Sequence, residues 1–316
     1  MNTNKVLICT SLIIVLAIIH ISMKNVSEDS LIVEENGSIS AYFCPLQNCT
    51  HEFIKAISGA ESIKCAFYSI NIDALIESLK HSNASIITHS TDNSGLGIQI
   101  KSPGLMHHKF CVVNSSTTIT GSYNPTISEE NNKNNLLVIQ SRTIASNYEK
   151  EFEELMQGSK KTKTSTPKVN LSGQLIKNYF CPQDSCQENI IMELQAAEES
   201  IYFMTFTFTD NEIAGILASK HETGLHVKGI IENFQRKDVW VKPLLDKAGI
   251  STKISSEQSL QHNKLFIIDN KTIITGSYNP TRAAHTINDE NILIITNPGL
   301  AEKYSEYFYT IHDSLT

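Results

Sequence analysis

The sequence predicts an α/β protein built as a tandem duplication. Each half is expected to be a mixed β-sheet flanked by helices, the two halves packed about a pseudo-twofold axis. Two observations predict this. Ile119–Thr126 and Ile274–Thr281 are the same octapeptide, and each follows a His-x-Lys triplet, His107-x-Lys109 and His262-x-Lys264, at the same spacing. Around both octets, helical and strand-like periodicities alternate in the same order, the pattern of helices packed over a sheet.

The elements follow in chain order. Val6–Met23 is apolar and carries no Asp, Glu, Lys or Arg, close to the roughly 20 residues that span a bilayer. No small-x-small site follows it. Residues 1–23 are therefore expected to be an uncleaved signal anchor, a membrane-spanning helix with the folded part outside the cytoplasm; a secreted chain with a cleaved signal is the rival. Residues 24–39 read as a polar spacer. The first half, residues 40–157, opens on Tyr42-Phe43-Cys44-Pro45. It continues through a helical pattern, a strand ending at Tyr68, a helix over Ile72–Lys80, strands at Lys109–Val113, Thr117–Thr120 and Leu136–Ile139, and a closing helix over Thr143–Met156. Residues 158–172, Lys-rich and broken by Pro167, read as a flexible linker.

The second half, residues 173–316, repeats the order: Tyr179-Phe180-Cys181-Pro182, a strand ending at Phe206, a helix over Asp210–Lys220, strands at Lys264–Asp269, Thr272–Thr275 and Ile292–Ile295, and a helix over Pro298–His312. It is longer in one place, with 41 residues between Lys220 and His262 against 26 between Lys80 and His107. A strand at Val227–Ile231 and a helix at Val241–Lys247 are expected there. In the first half, Ser- and Asn-rich sequence around Asn83–Gly97 takes their place.

Composition narrows the function. A 316-residue chain with 41% hydrophobic and 19% charged residues has an ordinary globular core rather than wholesale disorder. A net charge of −7 gives no global attraction to nucleic acid. Cys44 and Cys49 share a C-x4-C spacing with Cys181 and Cys186. These pairs fit small-loop disulfides outside the cytoplasm, half-buried thiols, or, more remotely, a four-thiolate zinc site. Cys65 and Cys111 lie in apolar strand-like runs and are expected to be core thiols. No metal or cofactor is expected.

The repeated motif carries the chemistry. In H-x-K on a strand, both side chains point to one face. Lysine offers three donors to a phosphate oxygen, and the Ser and Asn of Gly-Ser-x-Asn add neutral donors from an adjacent turn, here Ser122, Asn124, Ser277 and Asn279. Histidine serves as nucleophile, acid or base near neutral pH. Two such sets suit one phosphodiester substrate held between the halves.

These residues resemble the phospholipase D superfamily, whose pattern is H-x-K-x4-D followed by G-S-x-N. His262, Lys264, Asp269, Ser277, Asn279 and Glu290 match it throughout, and the short halves look like the compact branch containing the endonuclease Nuc and mitochondrial cardiolipin hydrolase. The resemblance implies a metal-independent two-step displacement through a phosphohistidine, in a cleft shared by both halves of a monomer that is an internal pseudo-dimer. It also implies a carboxylate that orients each histidine. The first half departs from the pattern: Asn114 stands where Asp269 does, and Asn134 where Glu290 does. The first site is therefore expected to keep His107, Lys109, Ser122 and Asn124 while lacking its orienting acid, with Glu129 or Glu130 as substitute. His262, beside Glu290, is expected to be the nucleophile and His107 the acid/base.

Phospholipid head-group hydrolysis is the expected activity, supported by the anchor and the net acidity. Nuclease action is the alternative; the second half offers Lys228, Arg236, Lys237, Lys242 and Lys247 as a basic groove. A catalytically weak phosphate-binding membrane protein is a third reading, resting on Asn114 and Asn134.

Overall fold

A computed structural model describes residues 32–158, 161–233, 241–256 and 258–315. The expected membrane anchor, residues 1–23, lies outside the described residues, as do Arg236 and Lys237. Among the described residues no helix is long and apolar enough to cross a membrane.

The first half contains β1 (Val33–Glu35), β2 (Ser38–Cys44), α1 (Cys49–Ile57), β3 (Ile63–Phe67), α2 (Asp73–Lys80), β4 (Ala84–His89), β5 (Ile98–Ile100), β6 (Lys109–Val113), β7 (Thr117–Gly121), β8 (Asn134–Gln140) and α3 (Arg142–Gln157). The second contains β9 (Lys168–Leu171), β10 (Gln174–Cys181), α4 (Cys186–Ala196), β11 (Ser200–Thr205), α5 (Asn211–Glu222), β12 (His226–Glu232), α6 (Lys242–Lys247), β13 (Ser251–Ser255), β14 (Lys264–Ile268), β15 (Thr272–Gly276), α7 (Arg282–Thr286), β16 (Glu290–Thr296) and α8 (Pro298–Ser314). One sheet runs β2-β8-β7-β6-β3-β4-β5, and the other runs β1-β9-β10-β16-β15-β14-β11-β12-β13. The tandem α/β fold expected from the repeat is thus present, each half carrying the same mixed core of strands.

Three differences from expectation have physical causes. The first half does keep the strand beyond β3: Ala84–His89 pairs with it in parallel. Its polar appearance misleads because Ile86 and Ile87 suffice to bury it. The presumed linker is ordered at its end, where β9 pairs with β10 and buries Val169 and Leu171. The presumed spacer contributes β1, which joins the second half's sheet beside β9. There Glu35 accepts hydrogen bonds from Ser141 Oγ at 2.6 Å and Thr143 N at 3.2 Å, an acidic cap on the start of α3.

One hydrophobic core is common to both halves. Helices α3 and α8 bring Tyr148, Phe152, Tyr304 and Phe308 together with sheet residues Phe110, Phe180 and Leu265. Each sheet has a further core under its outer helices, around Phe53 and Phe67 in the first half and Phe203 and Phe208 in the second.

Two isolated parallel bridges across the junction orient the halves: Met106 with Asp289, and Lys133 with Gln261. They make β6 and β16 run in the same direction. Both histidine motifs therefore emerge at one end of the molecule, with the shared core beneath them.

Disulfides join Cys44 to Cys49 and Cys181 to Cys186, each at the end of a sheet strand. Cys65 and Cys111 are not separate core thiols but a third disulfide, because antiparallel β3 and β6 set them directly opposite one another.

Candidate active site

Each histidine sits on the step between a cross-junction bridge and a strand. His107 N donates to Asp289 O at 3.0 Å, and His262 N donates to Lys133 O at 2.9 Å. Asn288 and Asn132 pin the preceding residues, accepting from Leu105 N at 3.0 Å and Leu260 N at 2.9 Å. The backbone of one half therefore holds the histidine of the other.

The side chains repeat this crossing. His107 Nδ1 lies 2.8 Å from Glu290 Oε2 of the second half. His262 Nδ1 lies 2.9 Å from Asn134 Oδ1 of the first half. Glu290 was expected to serve His262, its own half's histidine, but it serves His107. The missing carboxylate is therefore a property of the second histidine, not the first.

Glu129 partly fills the gap. Its Oε2 accepts from Asn134 Nδ2 at 2.7 Å and lies 3.4 Å from His262 Nδ1. Asn132 Nδ2 also donates to it at 3.2 Å. Glu130 points elsewhere, accepting from Thr50 Oγ1. The network fixes the amide of Asn134: its nitrogen donates to Glu129, and its oxygen accepts from Ser122 Oγ at 2.9 Å. His262 Nδ1 must then be a donor. Glu290, as an acceptor, makes His107 Nδ1 a donor too. In both rings Nε2 is the nitrogen left for chemistry.

Ser122 and Ser277 were expected on the phosphate. Their hydroxyl protons go instead to the residue facing the histidine, Ser122 to Asn134 and Ser277 to Glu290 at 2.6 Å. They brace the orienting groups. The adjacent glycines allow this, because a Cβ on Gly121 or Gly276 would meet Asn135 O at 2.4 Å or Asn291 O at 2.2 Å. Asn124 and Asn279 differ. Asn124 is buried, with Nδ2 3.4 Å from Glu129 and a side-chain oxygen without a protein partner, whereas Asn279 Oδ1 accepts from Thr207 N at 3.4 Å.

Asp269 does not belong to the site, and neither does Asn114. Both occupy left-handed turns at the far ends of β14 and β6. Asp269 accepts from the backbone of Glu198, Glu199 and Ser200 at 2.7–3.0 Å, and Asn114 accepts from Glu61 and Ser62 at 2.9 and 3.0 Å. An amide oxygen does the same bracing as a carboxylate there, so Asn114 is no lost acid.

Lys109 and Lys264 are buried, and each ammonium donates to the carbonyl of the histidine two residues before it. Lys109 lies over the Tyr68 ring at 5.2 Å and Lys264 over Phe206 at 5.3 Å. The same rings meet the histidines edge-on, Tyr68 with His107 at 5.1 Å and Phe206 with His262 at 4.7 Å. These aromatics were not anticipated as site residues, although each ends the matching strand of its half. His89 extends the first wall, stacking on Tyr68 at 5.3 Å and accepting from Met106 N. In the second half, the equivalent acceptor, for Gln261 N, is the carboxylate of Glu232.

Burial dominates the electrostatics. It lowers His107 to about 4 despite the opposing charge of Glu290, and it lowers Lys109 to about 7. His262 falls well below the usual histidine range, through burial first and then the nearby charges of Lys264, Lys109 and His107. Lys264 is likewise held far down by burial and by Lys109. Burial also pushes Glu290 up, but His107, Lys109 and Ser277 outweigh it and keep its carboxyl below the ordinary value. Two imidazoles and two ammonium groups with low proton affinity, gathered in one place, are a site that gains by accepting an anion.

Of the basic residues offered for a nuclease groove, Arg236 and Lys237 lie outside the described residues. Lys228 sits early on β12, over the Tyr309 ring at 5.2 Å, and Lys242 pairs with Asp246.

Comparison with known proteins agrees with the geometry. The family model for the cardiolipin synthase, phospholipase D-like domain matches residues 6–156 and 190–312. Phospholipase D of Rickettsia typhi is 34% identical over 141 residues, 44% of this chain and 69% of that protein. Mitochondrial cardiolipin hydrolase of Chlamydomonas reinhardtii is 29% identical over 123 residues, 38% of this chain and 54% of its own length. Phosphatidylserine synthase of Haemophilus influenzae shares the fold, with a TM-score of 0.64 at 12% identity over 87% of each chain.

Proposed function

The chain belongs to the phospholipase D-like family, and from that premise we propose that this phosphodiester-hydrolysing enzyme acts on a phospholipid head-group diester through a phosphohistidine. The observation that carries the reading is the pair of histidines whose Nδ1 atoms are tied across the junction, His107 to Glu290 and His262 to Asn134, beside Lys109 and Lys264.

The roles divide by proton affinity. A general acid must hold a proton before reaction, whereas a nucleophile must not. Burial lowers both rings, but at His107 the carboxylate of Glu290 opposes the fall, so His107 is the ring that takes up a proton when an anionic substrate enters. His262 faces a neutral amide and three cationic neighbours, and stays unprotonated. In the first step His262 Nε2 attacks phosphorus while the leaving oxygen departs with the proton of His107 Nε2. In the second, water gives a proton to His107 Nε2 and attacks phosphorus, breaking the P–N bond and restoring His262. Lys109 and Lys264 neutralise the non-bridging oxygens as charge grows on them.

This keeps His262 as nucleophile for a reason opposite to the one the sequence suggests: it is the histidine without the direct acid. Lipid is favoured over nucleic acid by the names of the Rickettsia and Chlamydomonas relatives, and Lys228 sits away from the histidine end, over the Tyr309 ring. The test is a substrate panel of phosphatidylcholine, cardiolipin and single-stranded DNA, with EDTA present. Phospholipid turnover lost in both His107→Ala and His262→Ala is expected, with a trapped phosphoryl group on His262 in the His107→Ala protein. Turnover of DNA alone, or phosphate mapped to His107, would reverse the substrate or the roles.

A further inference from the structure

We propose that the end of the molecule bearing the histidines is a bilayer-docking surface, with the loop tips Leu46, Leu105, Ile127 and Ile287 entering the lipid interface around the cleft mouth. The proposal rests on the phospholipid reading above and adds how the cleft meets its substrate.

The parallel bridges at Met106–Asp289 and Lys133–Gln261 put the histidine ends of both sheets on one face. Leu46 follows β2 at the end where Cys44 pairs with Asn134. Leu105 precedes His107, Ile127 follows the first Gly-Ser-x-Asn turn, and Ile287 precedes Glu290. All four stand on that face, at 66%, 38%, 62% and 45% exposure. Among the described residues eight large apolar side chains are this exposed, so half of them ring one mouth. The opposite end is built otherwise. Its turns, at residues 114–116, 172–173 and 269–271, are made of Asn, Ser, Gly, Asp and Lys. An apolar rim on one end alone marks a contact surface rather than scattered exposure.

The direction of β1 identifies the occupant. It runs parallel to β9, which is antiparallel to β10, which is antiparallel to β16. Because β16 starts at the cleft and runs inwards, β1 also runs away from the cleft, and Ile32 stands at its cleft-side start. Through Val169 and Ile176, Val33 stands level with Ile295, five residues along β16 from Glu290, or about 17 Å from the mouth. Met23, the last residue of the apolar run Val6–Met23, is nine residues before Ile32, a tether of up to about 30 Å. A membrane-seated apolar segment is thus within reach of the same face as the apolar rim. The residues that carry the attachment are apolar, so it is by insertion into the lipid interface.

The experiment uses the full chain in phosphatidylcholine vesicles whose acyl chains carry bromine. The single native tryptophan, Trp240, is removed as Trp240→Phe, and Leu46→Trp, Ile127→Trp or Lys271→Trp is added singly, the last as the far-end control. Emission from positions 46 and 127 is expected to be quenched by at least about half, with position 271 unaffected. Equal quenching at all three, or none at any, overturns the proposal. A second arm separates it from the substrate reading. Leu46→Ser combined with Ile127→Ser should lower turnover of vesicle phosphatidylcholine about tenfold and leave turnover of soluble bis(p-nitrophenyl) phosphate unchanged. An equal fall on both substrates counts against docking. Position-specific quenching in a protein that cleaves only the soluble diester supports docking and sinks the lipid-substrate reading. Vesicle turnover without quenching does the reverse.

Discussion

His107 and His262 occupy matching places in matching halves, yet one meets a carboxylate at 2.8 Å and the other an amide at 2.9 Å with the carboxylate of Glu129 behind it. The difference shows how a duplicated site acquires a direction. A symmetric pair leaves two equivalent routes for attack and proton transfer. Replacing one acid by Asn134 lowers the proton affinity of one ring only and assigns it the neutral role. Glu129 keeps that ring oriented, because a carboxylate acting through an amide fixes a tautomer without placing its full charge on the imidazole.

The largest expected effect breaks the direct pair. Glu290→Gln should lower kcat/KM by about 10²–10³-fold through loss of the oriented, chargeable His107. It should also move the alkaline limb of the pH profile to lower pH, since the raising influence of Glu290 is gone. Glu129→Gln should cost about tenfold and leave that limb in place. Equal losses with equal limb shifts would show that the two histidines are not differentiated in this way.

Restoring the symmetry is the next test. Asn134→Glu puts a second carboxylate where Asn134 Nδ2 now lies 2.7 Å from Glu129. The like charges should destabilise the fold by about 2–4 kcal/mol, read as a lower Tm. Adding Glu129→Gln should recover most of that loss, a coupling visible in a double-mutant cycle. The double variant should then give phosphohistidine at both positions 107 and 262, because each ring has its own acid.

A smaller effect, of opposite sign on stability, belongs to the lysines. Lys109 is buried and lowered from 10.5 to about 7, so holding its charge works against folding. The cost is absent above 10.5, grows as pH falls and is complete below about 7. Lys109→Met should therefore be inactive yet more stable at pH 7, by about 1–3 kcal/mol. The advantage should shrink as pH rises towards 10. A variant less stable at pH 7 would mean that Lys109 is needed to hold Glu290 and Glu129 together.

The duplication, the order of most elements along the chain and both His-x-Lys pairs are legible in the sequence because they depend on periodicity and spacing. The crossed pairing is not. Chain order sets Glu290 beside His262, and only the parallel bridge at Asp289 carries it to His107. Tyr68 and Phe206 carried a readable sign, an aromatic closing each matching strand, but on a strand that reads equally as core. Strand β4 was hidden by its Ser, Thr and His, since two buried isoleucines hold it.

The smallest effect tests where the halves truly match. Asn114 and Asp269 look like a second lost acid in the sequence, but both close the far turn of their strand pair with φ near +50° and accept backbone amides. Asn114→Asp should leave kcat/KM unchanged. It should raise stability slightly, by about 0.5–1 kcal/mol, because an ionised acceptor strengthens bonds to the amides of Glu61 and Ser62. That gain should be present at neutral pH and disappear as pH falls through the lowered carboxylate range, as the direction of the Asp269 shift indicates. A change in turnover would place this turn in contact with the chemistry after all. An unchanged rate with the pH-dependent gain would confine the functional asymmetry to Asn134 and Glu290, where one atom group on one ring decides which histidine attacks.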